Sequence, residues 1–185
     1  MMKKLSVEVV SGKDLSTEDL LVINIYRKKE FQSDTPISPS PNNTDWTAQY
    51  FLVRQDSHLV AFGRLITVNL LFHDFLYQVL GITTVISIEK HVGYGSILMK
   101  KMKDYIVKSK KTAIGFCPRT ITPFYSACGY SILEKGSDRF IYLNDEDIPV
   151  PGKSSDLIYV HGKDMIIDLL LQYPDEKITA YRKQW

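Results

Sequence analysis

An abrupt change of hydrophobic pattern near the middle of the chain constrains the fold more than any other feature of the sequence. Residues 81–88 read GITTVISI, an almost unbroken apolar and β-branched run that predicts a buried strand. The next segment, KHVGYGS at 90–96, contains two glycines, and apolar residues then recur at helical spacing, at Leu98, Met102, Tyr105 and Ile106. The order predicts a strand, a glycine turn and an amphipathic helix. Because free backbone N–H groups and the positive end of the helix dipole converge at such a turn, it favours a phosphate or pyrophosphate group.

Glycine pairs also occur in ordinary turns that bind nothing, so the surrounding pattern must separate the alternatives. A P-loop would have Lys and then Ser or Thr directly after its last glycine. A Rossmann fingerprint would have three spaced glycines and an acidic residue about 20 positions later. The sequence has neither pattern. Downstream, TAIGFC at 112–117 predicts another strand, and PFYSACGY at 123–130 predicts a short helix through two aromatic residues.

This order of parts resembles the GNAT superfamily of N-acetyltransferases, first through the glycine turn. In that family the pyrophosphate turn reads Arg or Gln, two residues, Gly, one residue, and then Gly or Ala. Lys90, Gly93 and Gly95 stand at the matching positions. Lys90 departs from the pattern, because lysine keeps the positive charge but lacks the planar fork with which arginine makes bidentate contacts. The departure leaves the backbone cradle intact.

The aromatic segment carries the second half of the resemblance. The family motif of an aromatic residue, Tyr, three residues, Gly and an aromatic residue is matched by Phe124, Tyr125, Gly129 and Tyr130. The resemblance covers roughly residues 49–143 and implies an α/β (α+β) fold. That fold is a GNAT-like mixed, mostly antiparallel central sheet flanked by helices, with a splayed parallel strand pair forming the CoA cleft. We expect a single GNAT-like domain over 1–185, with its core at about 49–143 and a C-terminal extension at 144–185.

The resemblance also implies a donor site, with acetyl-CoA as the co-substrate and no metal. The pantetheine arm would pair like an added strand with the backbone of Val85, Ile86, Ser87 and Ile88, where one free N–H could bind the thioester oxygen. The pyrophosphate would lie in the turn formed by Lys90, His91, Val92, Gly93, Tyr94, Gly95 and Ser96. An exposed loop histidine that contacts nothing is an equal alternative for His91.

Two residues are candidates for the proton transfers. Tyr125 matches the general acid of the family, and a phenol with an ordinary pKa of about 10 is protonated at neutral pH and can supply a proton to a departing thiolate. The alternative is that Phe124, Tyr125 and Tyr130 only anchor a short helix on the sheet. Glu89, at the end of the strand that carries the site, could accept the proton of the amine directly or through water, although an acid at a strand end is also often a solvated surface residue.

In the family, the acceptor side is built partly from the first helices and the loop after them, which maps here to residues 26–46. Acidic residues in this segment could hold a cationic amine, and Trp46 could offer a flat apolar wall. An ordinary irregular surface loop has the same composition. Peptide N-termini, lysines, polyamines and aminosugars all remain open as acceptors.

The N-terminal half predicts strands around one helix. LSVEVV at 5–10 predicts a strand, and Ser16 or Thr17 then caps a helix. Three prolines make 32–46 a long loop. The segments QYFLVRQD, LVAFGRLITV and FLYQVLGITTVISI predict three strands that pair as an antiparallel meander, and the strand after the amphipathic helix would pair in parallel.

The C-terminal tail holds a predicted strand, DLIYV, and a helix at about 164–172 that ends before Pro174. An edge strand in this region would allow a homodimer.

Composition excludes several other classes of protein. A net charge of +2 over 185 residues gives no strong basic field, so we expect no nucleic acid partner. Cys117 and Cys128 form no CxxC pair, which argues against a zinc site or a disulfide framework and favours buried packing of the thiols. No run of 18 apolar residues occurs, so we expect no membrane partner and a cytoplasmic location.

These observations leave three hypotheses from different classes. The first is an N-acetyltransferase that transfers the acetyl group of acetyl-CoA to a primary amine of a small molecule or peptide, by direct attack in a ternary complex. The alternative is a catalytically weak or inactive GNAT-like module that binds acyl-CoA or a partner. The third is a plain α/β interaction domain whose glycine turn binds nothing.

Overall fold

The computed structural model describes residues 4–143, 148–150 and 152–181. The chain divides into two compact units. The first unit combines the chain up to Ile66 with Thr83–Met102, and the second combines Thr67–Ile82 with the chain from Lys103 onward. Within the described ranges, none of the helices has the length and apolar character needed to span a bilayer.

The first unit begins with two elements that belong to it entirely, strand β1 (Leu5–Ser11) and helix α1 (Thr17–Phe31). They are followed by α2 (Thr44–Thr47), β2 (Gln49–Gln55), β3 (His58–Phe72), β4 (Phe75–Ser87) and α3 (Tyr94–Ser109). Elements β3, β4 and α3 have residues in both units. The predicted strands at the N-terminus and in the meander are therefore present, and β3 is longer than the sequence indicated.

Local signals explain where α1 begins and ends. The Ser16 hydroxyl accepts a hydrogen bond from the Asp19 N–H at 3.1 Å, so Ser16, one of the two predicted residues, is the N-cap. Gln32 ends the helix in the left-handed conformation, with φ of 53°. The loop that follows returns along the helix, because the Asn24 side-chain amide donates to the Ile37 carbonyl and accepts from the Ile37 N–H. Ile37 is 3% exposed, so this loop is anchored.

The register of β2 with β3 assigns residues to the two faces of the first unit. The two strands are antiparallel, with Phe51 opposite Gly63 and Tyr50 opposite Arg64. A Cβ on Gly63 would lie 2.9 Å from the sulfur of Met102, so the absence of a side chain lets α3 pack closely against that face. Since successive strand residues point to opposite faces, Arg64 and Tyr50 project to the other side.

The second unit is organised around a sheet with the strand order β6-β9-β5-β4-β3-β10-β7-β8. Its remaining elements are β5 (Ala113–Cys117), α4 (Thr122–Ala127), β6 (Ser131–Leu133), β7 (Phe140–Leu143), β8 (Pro149–Val150), β9 (Asp156–Val160), α5 (Ile166–Gln172) and β10 (Ile178–Ala180). The pairing of β4 with β5 is parallel and joins Leu80 to Ala113 and Gly81 to Ile114. The predicted mixed, mostly antiparallel sheet with a parallel strand pair is thus confirmed.

The C-terminal strands occupy positions that the sequence did not reveal. The predicted strand DLIYV is β9, and it lies between β5 and β6 in the interior of the sheet, so it does not supply the exposed edge expected for a homodimer. The three-residue strand β10 was not predicted. It pairs with β3 on one side and with β7 on the other, and Ile178 and Ala180 are fully buried. Three residues are too few for their periodicity to be read.

Candidate functional site

The glycine turn of the first unit has the backbone geometry of an anion-binding loop. His91 and Gly93 adopt left-handed conformations, with φ of 63° and 91°. Gly93 is the N-cap of α3, because its carbonyl accepts from the Ser96 and Ile97 N–H groups at 3.1 and 3.2 Å. The N–H groups that precede them in the first turn have no acceptor within the helix. The helix thus begins at Tyr94, two residues before the position expected from the sequence.

The side chains of the turn leave its backbone accessible. His91, Val92 and Gly93 are exposed, whereas the Tyr94 side chain is buried. No atom lies within 4 Å of the position that a Cβ on Gly93 would occupy. The backbone of this turn, more than its side chains, is therefore the part suited to hold an anion.

Lys90 is engaged within the first unit. Its ammonium group donates to the Glu30 carboxylate of α1 at 2.9 Å, and the lysine side chain is about half exposed. Exposed ion pairs of this kind contribute about 0–1 kcal/mol, so a phosphate could replace the carboxylate at little cost. Glu89 is exposed, and its backbone carbonyl accepts from the Ser87 hydroxyl at 2.7 Å.

The end of β4 has an irregular backbone followed by a regular one. Thr84 lies inside the strand with φ of 57°, a conformation that β-branched residues rarely adopt. Beyond it, the Ile88 N–H donates to the Val60 carbonyl of β3 at 2.9 Å and is not free to bind a ligand. Because N–H directions alternate along an extended strand, the N–H of Ser87 points away from β3. Among residues 85–88, the backbone N–H groups of Val85 and Ser87 therefore remain as candidate donors to the thioester oxygen.

A buried polar cluster holds Thr84 in its unusual conformation. The side chain of Arg64 is 8% exposed, and its Nε donates to the Thr84 hydroxyl at 3.2 Å. Its Nη1 donates to the carboxylate of Asp45 and, at 3.4 Å, to the hydroxyl of Tyr50. Burial raises the pKa of the Tyr50 phenol, although the positive charge of Arg64 opposes the shift. We call these four residues the Arg64 cluster.

The Arg64 cluster did not emerge from the sequence analysis. The signal was a single arginine inside the apolar run LVAFGRLITV, since a charged side chain in a buried strand requires partners. Its partner Asp45 lies 19 residues away in the proline-rich segment, and no local pattern links the two.

The three carboxylates of segment 26–46 are all paired with basic side chains. Glu30 contacts Lys90, Asp34 contacts Lys28 at 3.3 Å, and Asp45 contacts Arg64. One interpretation of the sequence was that these acids could hold a cationic amine. In the structure their charges are already balanced.

In the second unit, the aromatic motif forms a helix C-cap. The Tyr130 N–H donates to the Tyr125 carbonyl at 3.1 Å, and the Gly129 N–H donates to the Ser126 carbonyl at 2.8 Å. Gly129 has φ of 85°, and together with these two hydrogen bonds this conformation defines a Schellman motif. The rings of Tyr125 and Tyr130 contact edge to face with centroids 6.2 Å apart. The spacing of Tyr, three residues, Gly and Tyr is thus explained by the end of α4.

Burial dominates the chemistry around Tyr125. The residue is 7% exposed, and burial raises the pKa of its phenol, with further contributions from Cys117 and Cys128. Burial also raises the pKa of the Cys117 thiol to about 11. Both cysteines are buried, as predicted, and both lack a disulfide. In the described portion of the chain, no three His, Cys, Asp or Glu side chains are grouped so as to hold a metal ion.

The fold is that of the GNAT superfamily of N-acetyltransferases. Escherichia coli ElaA superposes with a TM-score of 0.58 at 18% identity over 84% of this chain and 99% of its own. An acyl-CoA N-acyltransferase from Pseudomonas aeruginosa superposes with a TM-score of 0.55 at 17% identity, over 83% and 98% of the two chains. An N-acetyltransferase from Staphylococcus aureus Mu50 gives a TM-score of 0.53 at 13% identity, over 85% and 97%. Neither the protein-family models nor the curated protein sequences give a match.

Proposed function

We propose that this chain is an acetyl-CoA-dependent N-acetyltransferase that transfers the acetyl group to a primary amine of a small molecule or peptide. The observation that carries the proposal is the turn from His91 to Gly93, whose left-handed residues lead directly into the N-terminus of α3. It occurs in a fold shared with N-acetyltransferases and with an acyl-CoA N-acyltransferase. A backbone cradle at a helix N-terminus suits the pyrophosphate of coenzyme A.

The donor is held mainly by backbone groups in this proposal. The pyrophosphate accepts from the N–H groups of the turn, and Lys90 moves from Glu30 to the phosphate. The pantetheine amides pair with the backbone of Val85 and Ser87 on the side of β4 that faces away from β3. The outward N–H of this segment donates to the thioester oxygen and stabilises the oxyanion when the amine attacks.

Two side chains take part in the proton transfers. Glu89, which is exposed, accepts the proton of the ammonium group through water, so that a neutral amine can attack the thioester. Tyr125 donates a hydrogen bond to the sulfur as the carbon–sulfur bond breaks. Because burial raises the phenol pKa, Tyr125 stays protonated at every working pH. It gives its proton to the departing sulfur and recovers one from the attacking nitrogen as the amide forms, so that the products are the N-acetylated amine and the free thiol.

Two observations favour the alternative of a weak or inactive acyl-CoA-binding module. Lys90 is engaged by Glu30, and the raised pKa of Tyr125 makes the phenol a weaker acid than a solvated one. An active enzyme and an inactive binding module are both chemically compatible with a turn that binds coenzyme A. Only turnover separates them.

Thermal unfolding with and without acetyl-CoA tests the donor site. At a ligand concentration about 100 times the dissociation constant, the free energy of unfolding should rise by about 2.7 kcal/mol. The Gly93→Ala variant should lose most of this gain, because alanine disfavours a φ of 91° at the centre of the cradle. No change at millimolar acetyl-CoA would contradict both the enzyme and the acyl-CoA-binding alternative.

A matched pair of tyrosine variants then tests catalysis. Tyr125→Phe should lower the rate of thiol release from acetyl-CoA by about 100-fold or more, the lower end of the range typical of a general acid, and leave acetyl-CoA binding unchanged. Tyr130→Phe removes the same hydroxyl from the other ring of the C-cap and should retain the rate. Equal rates for both variants would exclude Tyr125 as the acid, and binding without turnover of any amine would favour the module.

A further inference from the structure

The distribution of charge around α1 indicates which kind of acceptor the protein takes. Among the described residues, every carboxylate of segment 26–46 is paired with a basic side chain. Arg27 is in the same segment and has no ion pair with any carboxylate in the described ranges. Counting Lys90 and Arg64, which supply two of these pairs, five basic side chains stand against three carboxylates, so the surroundings of the segment carry a surplus of positive charge.

Among the described residues, the hydrogen bonds that Arg27 donates go to neutral oxygens. Its Nη1 donates to the Thr35 carbonyl at 3.0 Å, and its Nη2 donates to the Ser33 hydroxyl at 3.4 Å. Its Nε is buried without an acceptor among the described residues. Burial lowers the pKa of Arg27, and so does the positive charge of Arg64. The nearby Asp45 carboxylate acts in the opposite direction and raises the pKa of Arg27, but its ion pair is with Arg64. The guanidinium is fixed in place by the loop and has no ion pair of its own among the described residues.

An open groove of about 450 Å³ lies beside this guanidinium. It runs between α1 and the returning loop, and its lining includes Leu21, Ile25 and Arg27. Lys29 and the Lys28–Asp34 ion pair also line it, so its charged side carries more basic groups than acidic ones. Leu21 and Ile25 are 62% and 55% exposed, so the groove has an apolar side next to the charged one. This volume falls in the range of small-molecule sites.

We propose that the groove binds the carboxylate of the acceptor at Arg27, so that the preferred acceptor is a small amine that also carries a carboxylate group. The inference rests on the proposed acetyl transfer. Each terminal nitrogen of Arg27 has a second N–H, and a guanidinium pairs with a carboxylate through two parallel hydrogen bonds. Polyamines and other polycations, which the sequence left open, are disfavoured by the same surplus charge.

Nuclear magnetic resonance gives a direct test, because a buried Nε–H exchanges slowly enough to be observed. The Arg27 signal is assigned by its loss in Arg27→Lys. With coenzyme A present, a panel of N-acetyl amino acids should shift this signal to saturation at millimolar concentration, whereas the matching N-acetyl amino acid amides should not. If no carboxylate in the panel shifts the signal, or if acids and amides shift it equally, the proposal is wrong. A shift only with O-phosphoethanolamine would replace the carboxylate with a phosphate and would also overturn it.

Turnover provides the second test. For each amino acid that is acetylated, kcat/KM should exceed that of its amide by about tenfold or more, the factor expected for a charge-assisted pair. Arg27→Gln should remove this preference, and Lys13→Gln, which removes one positive charge from an exposed residue elsewhere in the first unit, should keep it. Preference for amides or for spermidine would overturn the proposal. Thermal unfolding shows whether Arg27→Gln still folds, and Arg27→Lys, which keeps the charge, is the substitute if it does not.

The two proposals fail in different ways. If acetyl-CoA does not stabilise the protein, the acetyltransferase function is wrong, and the titration without coenzyme A still reports on Arg27. If acetyl-CoA binds but Arg27 responds to no carboxylate, only the acceptor class is wrong.

Discussion

Replacing Asp45 with Asn should destabilise the first unit more than any other single charge neutralisation on segment 26–46. Asn keeps the shape of Asp and can still accept a hydrogen bond, but it leaves the Arg64 guanidinium, 8% exposed, without a counter-charge. Loss of one partner from a buried ion pair costs about 3–5 kcal/mol. Asp45 is itself 18% exposed, and Arg64 keeps its bonds to Tyr50 and Thr84, so we expect the lower end, about 3 kcal/mol.

Urea unfolding followed by circular dichroism measures this loss, and thermal unfolding should show a midpoint lower by roughly 6–12 °C for a chain of this size. The matched control is Asp34→Asn. The Asp34 side chain forms an ion pair with Lys28 and is 87% exposed. This substitution should cost at most about 1 kcal/mol. The double variant Asp45→Asn, Arg64→Met should regain much of the loss, because no buried charge then remains.

The reasoning would be refuted if Asp45→Asn cost no more than Asp34→Asn, or if the double variant were less stable than Asp45→Asn alone. The same variant also links stability to the donor site. Arg64 holds the hydroxyl of Thr84 at the irregular point of β4, so Asp45→Asn should weaken acetyl-CoA binding even at temperatures where the protein is folded.

Three further outcomes follow from the second unit. Gly129→Ala should lower the free energy of unfolding by about 1–2 kcal/mol, because φ is 85°, a conformation that disfavours any side chain; a loss near zero in urea unfolding would disprove the left-handed cap. Burial raises the pKa of Tyr125 and Tyr130 in the folded state. Their contribution to the free energy of unfolding should therefore be fully present below about pH 10, and the free energy should fall above that pH by up to about 1.4 kcal/mol per pH unit for each phenol. Tyr130→Phe should reduce that slope, and an unchanged slope would contradict the assignment. Since the pKa of Cys117 is raised to about 11, an aromatic disulfide reagent should react with its thiol far more slowly in the folded protein than in urea, and equal rates would count against burial.

Much of the local structure follows from the sequence, because its signals act over a few residues. Ser16 caps α1, the period of the apolar residues defines α3, and the positions of Gly93 and Gly129 coincide with backbone that turns left-handed. Glycine pays no steric penalty in that conformation, which is why the two motifs are visible in the sequence at all. The domain boundaries and the roles of Tyr125 and Glu89 stay predictions.

Ion pairing was decided by the tertiary structure alone. The sequence shows acids and bases mixed through segment 26–46 and favours neither charge. Folding brings Lys90 to Glu30 across 60 positions and Arg64 to Asp45 across 19, and these contacts leave Arg27 and Lys29 without an ion pair among the described residues. The proposed preference for an amine that carries a carboxylate therefore depends on which partners meet in space.

The difference between local and long-range interactions also explains which parts of the sheet were predicted. The strand–turn–helix unit that contains the proposed donor-binding turn is contiguous, so hydrophobic periodicity and two glycines were enough to predict the unit. The positions of β9 and β10 depend on hydrogen bonds to strands that lie tens of residues away, and a strand of three residues has no period of its own. Local backbone preferences depend on neighbouring residues, whereas the pairing of strands and the balance of charge arise only when distant segments pack together.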